Sequence, residues 1–146
     1  MIAARPARLY SPALLGLATE LAQFPLGNNL PFVAEARSRS CGSVITVGLA
    51  LGSARDIAGI GMQVSACAIG QASAALLAQS AVGAAGTSIV QTTSQLEAWL
   101  VGEGPLPDWP GIAVLAPALA HPGRHGALLL PWTAACSALS SAATQG

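Results

Sequence analysis

SVITVGLALGSARDIAGIGMQVSACAIGQASAALLAQ, residues 43–79, is the stretch whose reading decides the fold. Its first part, 43–51, is rich in β-branched residues and closes at Gly52-Ser53, and a second extended run follows from about Ile57 to Ala66. At Cys67 the apolar period changes from two to 3.6, so that Ile69, Ala72 and Leu76 share one helical face. A cysteine therefore occupies a strand-to-helix junction.

Working outward, Phe32 to Ser40 alternates apolar and polar residues, which makes a hairpin centred on Cys41-Gly42 the simplest pairing with 43–51. Pro25, Gly27, Asn28, Asn29 and Pro31 form a turn cluster before it. Residues 9–24 read as a short amphipathic helix, with Ser11 as N-cap, Pro12 in the first turn and Leu14, Leu17, Ala18 and Leu21 on one face. Downstream, Gly83 and Gly86 end the helix that starts at Cys67. Thr87 or Ser88 is placed to cap a second one carrying Ile89, Leu96, Trp99 and Leu100. Residues 104–111 read as a loop and 112–119 as a short apolar helix or turn. A final helix is expected from Arg124 to Ala138 with Pro131 near its middle. The Ala/Ser-rich residues 139–146 are expected to form a flexible tail.

Composition narrows the function classes. The chain has 146 residues, 53% of them hydrophobic and 8% charged, against about 25% charged in ordinary soluble domains. Such a chain buries a core and is not disordered. All six cations are arginines (5, 8, 37, 39, 55 and 124), balanced by six acids, so there is no basic field for nucleic acid. Residues 57–96 carry no charge, but Gln63, Gln71, Gln79, Gly83 and Gly86 interrupt them, so the sequence predicts neither a membrane span nor a membrane partner. Three cysteines without a CxxC pair suit a reducing, cytoplasmic location. Trp99, Trp109 and Trp132 read as core anchors among apolar neighbours. Asp56, Glu97 and Glu103 are too scattered to make a catalytic acid pair, and no phosphate loop is present.

The chemistry resides in the cysteines. A thiol at a helix N-terminus meets the positive end of the macrodipole, which favours the thiolate that soft metals bind. Cys67 has that position and Cys41 sits in the hairpin turn beside Gly42. Four motifs stand in order along the chain: Tyr10-Ser11-Pro12, Ser40-Cys41-Gly42-Ser43, the run from Ala66 to Ser73 (ACAIGQAS), and Gly123 to Trp132 (GRHGALLLPW). In these the chain resembles the U-type iron–sulfur assembly scaffolds: the NifU N-terminal domain, IscU and SufU. The resemblance spans nearly the whole chain, and the last motif leans to the SufU branch.

The resemblance implies a single NifU-like domain over residues 1–146, of the α/β (α+β) class. It would have a three-stranded antiparallel sheet, helices packed on one face, and Cys41 and Cys67 at one edge. It implies an iron–sulfur assembly scaffold rather than an enzyme, binding iron or a cluster transiently through Cys41 and Cys67, with zinc as the alternative cofactor. A zinc-dependent, SufU-like persulfide acceptor and a partner-docking paralogue without metal are the other two readings. Implied partners are a cysteine desulfurase, acceptor or carrier proteins for the cluster, and a second copy of the chain. The family's ligand set is three cysteines and an aspartate. Here the aspartate position is Ser43 and the third cysteine position is Ala127, so two of four ligands are missing. His125, two residues before Ala127, is the substitute donor the sequence offers, and Arg124 adds a cation beside the thiols. Cys136 is no substitute: nine residues past Ala127 on a helix is half a turn out of phase and about 13.5 Å along the axis.

Overall fold

A computed structural model describes residues 9–39 and 42–145. Cys41 and its neighbour Ser40, like Arg5 and Arg8, lie outside the described residues. Three strands, β1 (Phe32–Arg37), β2 (Val44–Leu51) and β3 (Ile57–Ser65), form an antiparallel sheet in sequence order. The register runs from Arg37 opposite Val44 to Phe32 opposite Leu49, and from Val44 opposite Ser65 to Leu51 opposite Ile57. Alternation along β2 sends Ile45, Val47 and Leu49 into the core, where each is fully buried.

The helices are α1 (Pro12–Thr19), α2 (Ala68–Ala81), α3 (Gly86–Leu100) and α4 (His125–Gln145), with 3₁₀ segments at Glu20–Gln23, Ile112–Ala120 and Pro122–Arg124. The Ser11 hydroxyl caps α1 by accepting the Leu14 N–H at 3.1 Å, as the sequence predicts. α4 packs under β1 and β2, α2 packs under β3 and against α4, and α1 and α3 lie outside these two. By length and mean hydropathy, 1.2, the segment Pro122–Thr144 could cross a bilayer, but half of it is buried inside the protein. It is the core helix.

The crossing of α2 and α4 is close because the residues are small. A Cβ placed on Gly70 would come within 3.3 Å of the Ala127 carbonyl oxygen and 3.4 Å of the Ala127 Cβ. Pro131 has no N–H to give that carbonyl, so α4 continues past it with one bond missing from its ladder. One turn further on, a buried relay ties the helices together. The Trp132 indole Nε1–H donates to Ser73 Oγ at 3.0 Å, and the Ser73 hydroxyl donates to the Leu128 carbonyl at 2.7 Å. Trp109 stands edge-on to Trp132, ring centroids 5.0 Å apart, and donates its own N–H to the Leu76 carbonyl at 2.8 Å.

Two expectations are corrected. Neither Thr87 nor Ser88 caps α3, which begins a residue earlier, at Gly86, with Ala85 in the N-cap position. The Gly86 N–H donates to the Arg55 carbonyl at 3.2 Å, so the backbone of the β2–β3 turn takes the place of a side-chain cap. The expected tail after 138 is helical instead: α4 runs on to Gln145, with Ala142 4% exposed and Leu139 against the core. Low complexity here hid an apolar stripe, Ala134, Ala135, Ala138 and Ala142, at helical spacing.

The outer face of the sheet holds a feature the sequence does not announce. Gly48 and Gly61 pair directly across β2 and β3, and the segment Phe24–Leu30 crosses over them. The Met62 N–H donates to the Phe24 carbonyl at 2.9 Å. A Cβ on Gly61 would overlap the Pro25 carbonyl oxygen, and one on Gly48 would lie 2.8 Å from Leu26 Cδ1. Gly61→Ala is accordingly expected to lower unfolding free energy by about 1–3 kcal/mol, the usual range for overpacking. Gly59→Ala, where the added Cβ meets nothing nearer than 3.4 Å, is the control. Equal urea midpoints for the two variants would contradict this account of the glycines.

Candidate metal centre

Cys67 is the N-cap of α2, in extended conformation, and its thiol is half-buried and makes no capping bond. The Gln71 N–H donates to the Cys67 carbonyl at 3.0 Å, and the Gln71 side chain donates to the Ala66 carbonyl at 3.0 Å. The backbone on both sides of the thiol is thereby fixed.

The other positions converge on it from two directions. Val44 pairs with Ser65, so Ser43 stands at the end of the sheet from which β3 runs into Ala66 and Cys67. Its carbonyl accepts the Ser38 N–H at 2.9 Å, closing the hairpin below the loop that contains residue 41. From the other side comes the first turn of α4. Ala127 lies against Gly70, which is three residues after Cys67 and so on the same face of α2. Ser43 and Ala127 are 4% and 1% exposed. The two positions at which the resemblance implies missing ligands are thus both buried.

His125 opens α4. Its Nε2 lies 3.0 Å from the Ala118 carbonyl and 3.1 Å from the Leu119 carbonyl. Carbonyl oxygens only accept, so Nε2 carries the proton, and in the neutral ring the lone pair is on Nδ1. A ring nitrogen fixed by a backbone carbonyl on its far side is the usual arrangement of a metal-binding histidine. Among the described residues no three His, Cys, Asp or Glu side chains converge.

Three of the four described arginines belong to this end: Arg37 and Arg39 by the hairpin tip and Arg124 next to His125. Arg37 is paired with Glu35 at 2.8 Å, and among the described residues this is the one ion pair.

Cys136 belongs to a different place. Its thiol donates to Thr93 Oγ1 at 3.3 Å between α3 and α4. Burial pushes this thiol above its ordinary range and the Glu97 charge adds to that, while its hydrogen bond with Thr93 opposes both. Its folded value is raised, so its contribution to stability is complete below the unfolded pKa and is lost as pH rises through the folded one. Iodoacetamide is therefore expected to label Cys136 slowly at pH 8 and faster in alkali, and Cys136→Ser to leave metal binding unchanged. Mass spectrometry of the labelled peptides and a zinc titration of the variant check the two statements.

The Ser73–Trp132 relay was not anticipated, although it joins the two longest motifs. A serine on an otherwise apolar helix and a tryptophan in an apolar run each carry a polar atom that needs a partner once buried, and that was the available signal.

No protein-family model matches the chain, and no curated protein matches its sequence. Solved structures do match in fold. A NifU-like protein (N-terminal) from Brucella abortus superposes with a TM-score of 0.86 at 24% identity, over 94% of this chain and 96% of that one. A protein described as an iron–sulfur cluster assembly scaffold for the SUF system, from Fervidobacterium islandicum AW-1, gives 0.81 at 22% identity, over 90% and 96%. The chain has the three-stranded α+β fold of the NifU-like and SufU scaffold structures over nearly its whole length.

Proposed function

We propose that the chain is a scaffold of iron–sulfur cluster assembly that holds iron or a nascent cluster as cargo through Cys41 and Cys67, with His125 Nδ1 as a third donor. The observation that carries this reading is convergence: in a fold shared with scaffold proteins, the α2 cap, the Ser43 end of the hairpin and the first turn of α4 meet at one edge. Thiolates and imidazole are donors that iron and zinc accept. The partners of such a protein are a cysteine desulfurase, cluster acceptors or carriers, and a second copy of the chain. Its compartment is the cytoplasm, where free thiols such as Cys67 and Cys136 persist.

The likeness to a SUF-system scaffold favours one second reading, a zinc-bound acceptor of persulfide sulfur. Ala127 weakens it, since the third cysteine is the natural acceptor of that branch. Anaerobic reconstitution with ferrous iron and sulfide tests the first reading by absorption and Mössbauer spectra. Cluster features that vanish in Cys67→Ser support it. Iron uptake unaffected by both Cys41→Ser and Cys67→Ser removes it, and a persulfide on either cysteine after incubation with a desulfurase favours the second.

A further inference from the structure

We infer that the outer edge of β1 is a self-association surface, on which a second copy of the chain lays its own β1 antiparallel, joining the two sheets into one. None of the metal donors enters this inference. A second copy is one of the partners named with the scaffold reading, and the inference says where it would sit.

The direction of each backbone group on β1 follows from the ladder. The Ser38 N–H donates to the Ser43 carbonyl at 2.9 Å, so every second pair from there, Ala36 with Ile45 and Ala34 with Val47, exchanges hydrogen bonds between β1 and β2. The amides and carbonyls of Val33, Glu35 and Arg37 therefore point away from β2. Carried across β2 to β3, the same alternation sends the Met62 N–H outward, and it does meet the Phe24 carbonyl there, at 2.9 Å. The outer edge of β3 is thus engaged by the segment at Phe24. On the outer edge of β1 no backbone bond to Val33, Glu35 or Arg37 is present among the described residues. All three side chains are exposed, Val33 by 48%.

An open edge is ordinarily blocked by charge, and β1 carries two charges. Their spacing decides what they block. In a symmetric antiparallel pair the two-fold axis passes a residue position, and outward groups must meet outward groups. With the axis at Ala36, Glu35 of each copy faces Arg37 of the other, and each such pair exchanges its N–H···O bonds. With the axis at Glu35 or at Arg37, like charges face each other, and with it at Ala34, Glu35 faces Val33. Within one chain Arg37 Nε already donates to Glu35 Oε1 at 2.8 Å, with both side chains exposed. A second copy in the Ala36 register extends this pair into a cluster of alternating signs across the strands, the favourable arrangement of cross-strand charges. The edge is therefore complementary to itself, which a symmetric interface requires and a strand from an unrelated protein has no reason to supply.

Sedimentation velocity over a concentration series at low salt tests this. Glu35→Arg and Arg37→Glu each set like charges opposite one another, and each is expected to weaken self-association on the order of tenfold, the scale of exposed ion pairs lost and replaced by repulsion. Mixed together, the two variants again face opposite charges at both positions. The mixture, and the chain carrying both substitutions, are expected to associate like the parent. A folding defect cannot produce that recovery on mixing, because each variant still lacks its own internal pair. Hydrogen exchange supplies the location: on association the Glu35 and Arg37 amides slow, while those of Ala34 and Ala36, already bonded to β2, do not change.

A dimer indifferent to both reversals, or one in which the Glu35 and Arg37 amides exchange as fast as in the monomer, overturns the inference by placing the contact elsewhere. A chain still monomeric at about 1 mM overturns it as well and leaves this edge to a strand of another protein. Neither result bears on iron uptake through Cys67, so the scaffold reading stands or falls by its own test.

Discussion

Zinc is expected to bind the Ser43→Asp, Ala127→Cys double variant about two to four orders of magnitude more tightly than the unaltered chain, the scale of adding two ionised donors to a partial site. Two contacts favour this. Ala127 faces Gly70 on the first turn of α2, where there is no side chain to displace, and Ser43 sits where the sheet delivers β3 to Cys67. Both positions are buried, so without metal the new carboxylate and thiol are poorly solvated, and the variant should be less stable than the parent until zinc is added. Denaturation with and without zinc therefore gives a second readout with opposite signs. An affinity equal to that of the unaltered chain would show that Ala127 does not face the metal, and would turn the reading toward a partner-docking role.

Trp132→Ala is expected to remove about 3–5 kcal/mol of stability, the range for truncating a large aromatic in a core. Trp132 is fully buried, stands edge-on to Trp109 and donates to Ser73, so its loss opens a cavity, breaks an aromatic contact and cuts the relay to Leu128. Trp132→Phe keeps most of the volume and loses the N–H, and should cost about 1–3 kcal/mol. Urea unfolding of the two variants and the parent measures the steps. A loss below about 1 kcal/mol for Trp132→Ala would mean that the α2–α4 crossing does not depend on the relay.

The sequence disclosed most of the architecture because its signals were local. β-branched runs, the change of period at Cys67 and the Ser11-Pro12 start each act within a few residues, and β1, β2, β3, α1 and α2 lie within a few residues of where those signals put them. It was silent where the cause is tertiary. The α3 cap is made by Arg55, about thirty positions away, and the glycines of β2 and β3 are explained by Pro25, Leu26 and Leu30 lying over them. At the site, the junction position of Cys67 was legible from its neighbours. The contact of Ala127 with Gly70 and the carbonyl partners of His125 needed the folded chain, since no spacing rule relates residues on separate elements.

The register that sets Val44 opposite Ser65 also governs how loading and folding are related. In a zinc finger the ion closes loops that the apo chain leaves open, so its binding energy is folding energy. Here the β2–β3 ladder has already met the loop-closure entropy between Ser43 and the start of α2, and the α2–α4 contact has done the same for Ala127. A bound ion adds to stability only by mass action, growing with the logarithm of its concentration over its dissociation constant. If the chain carries cargo as proposed, that cargo leaves for an acceptor while every strand and helix stays in place, and the emptied chain loads again without refolding.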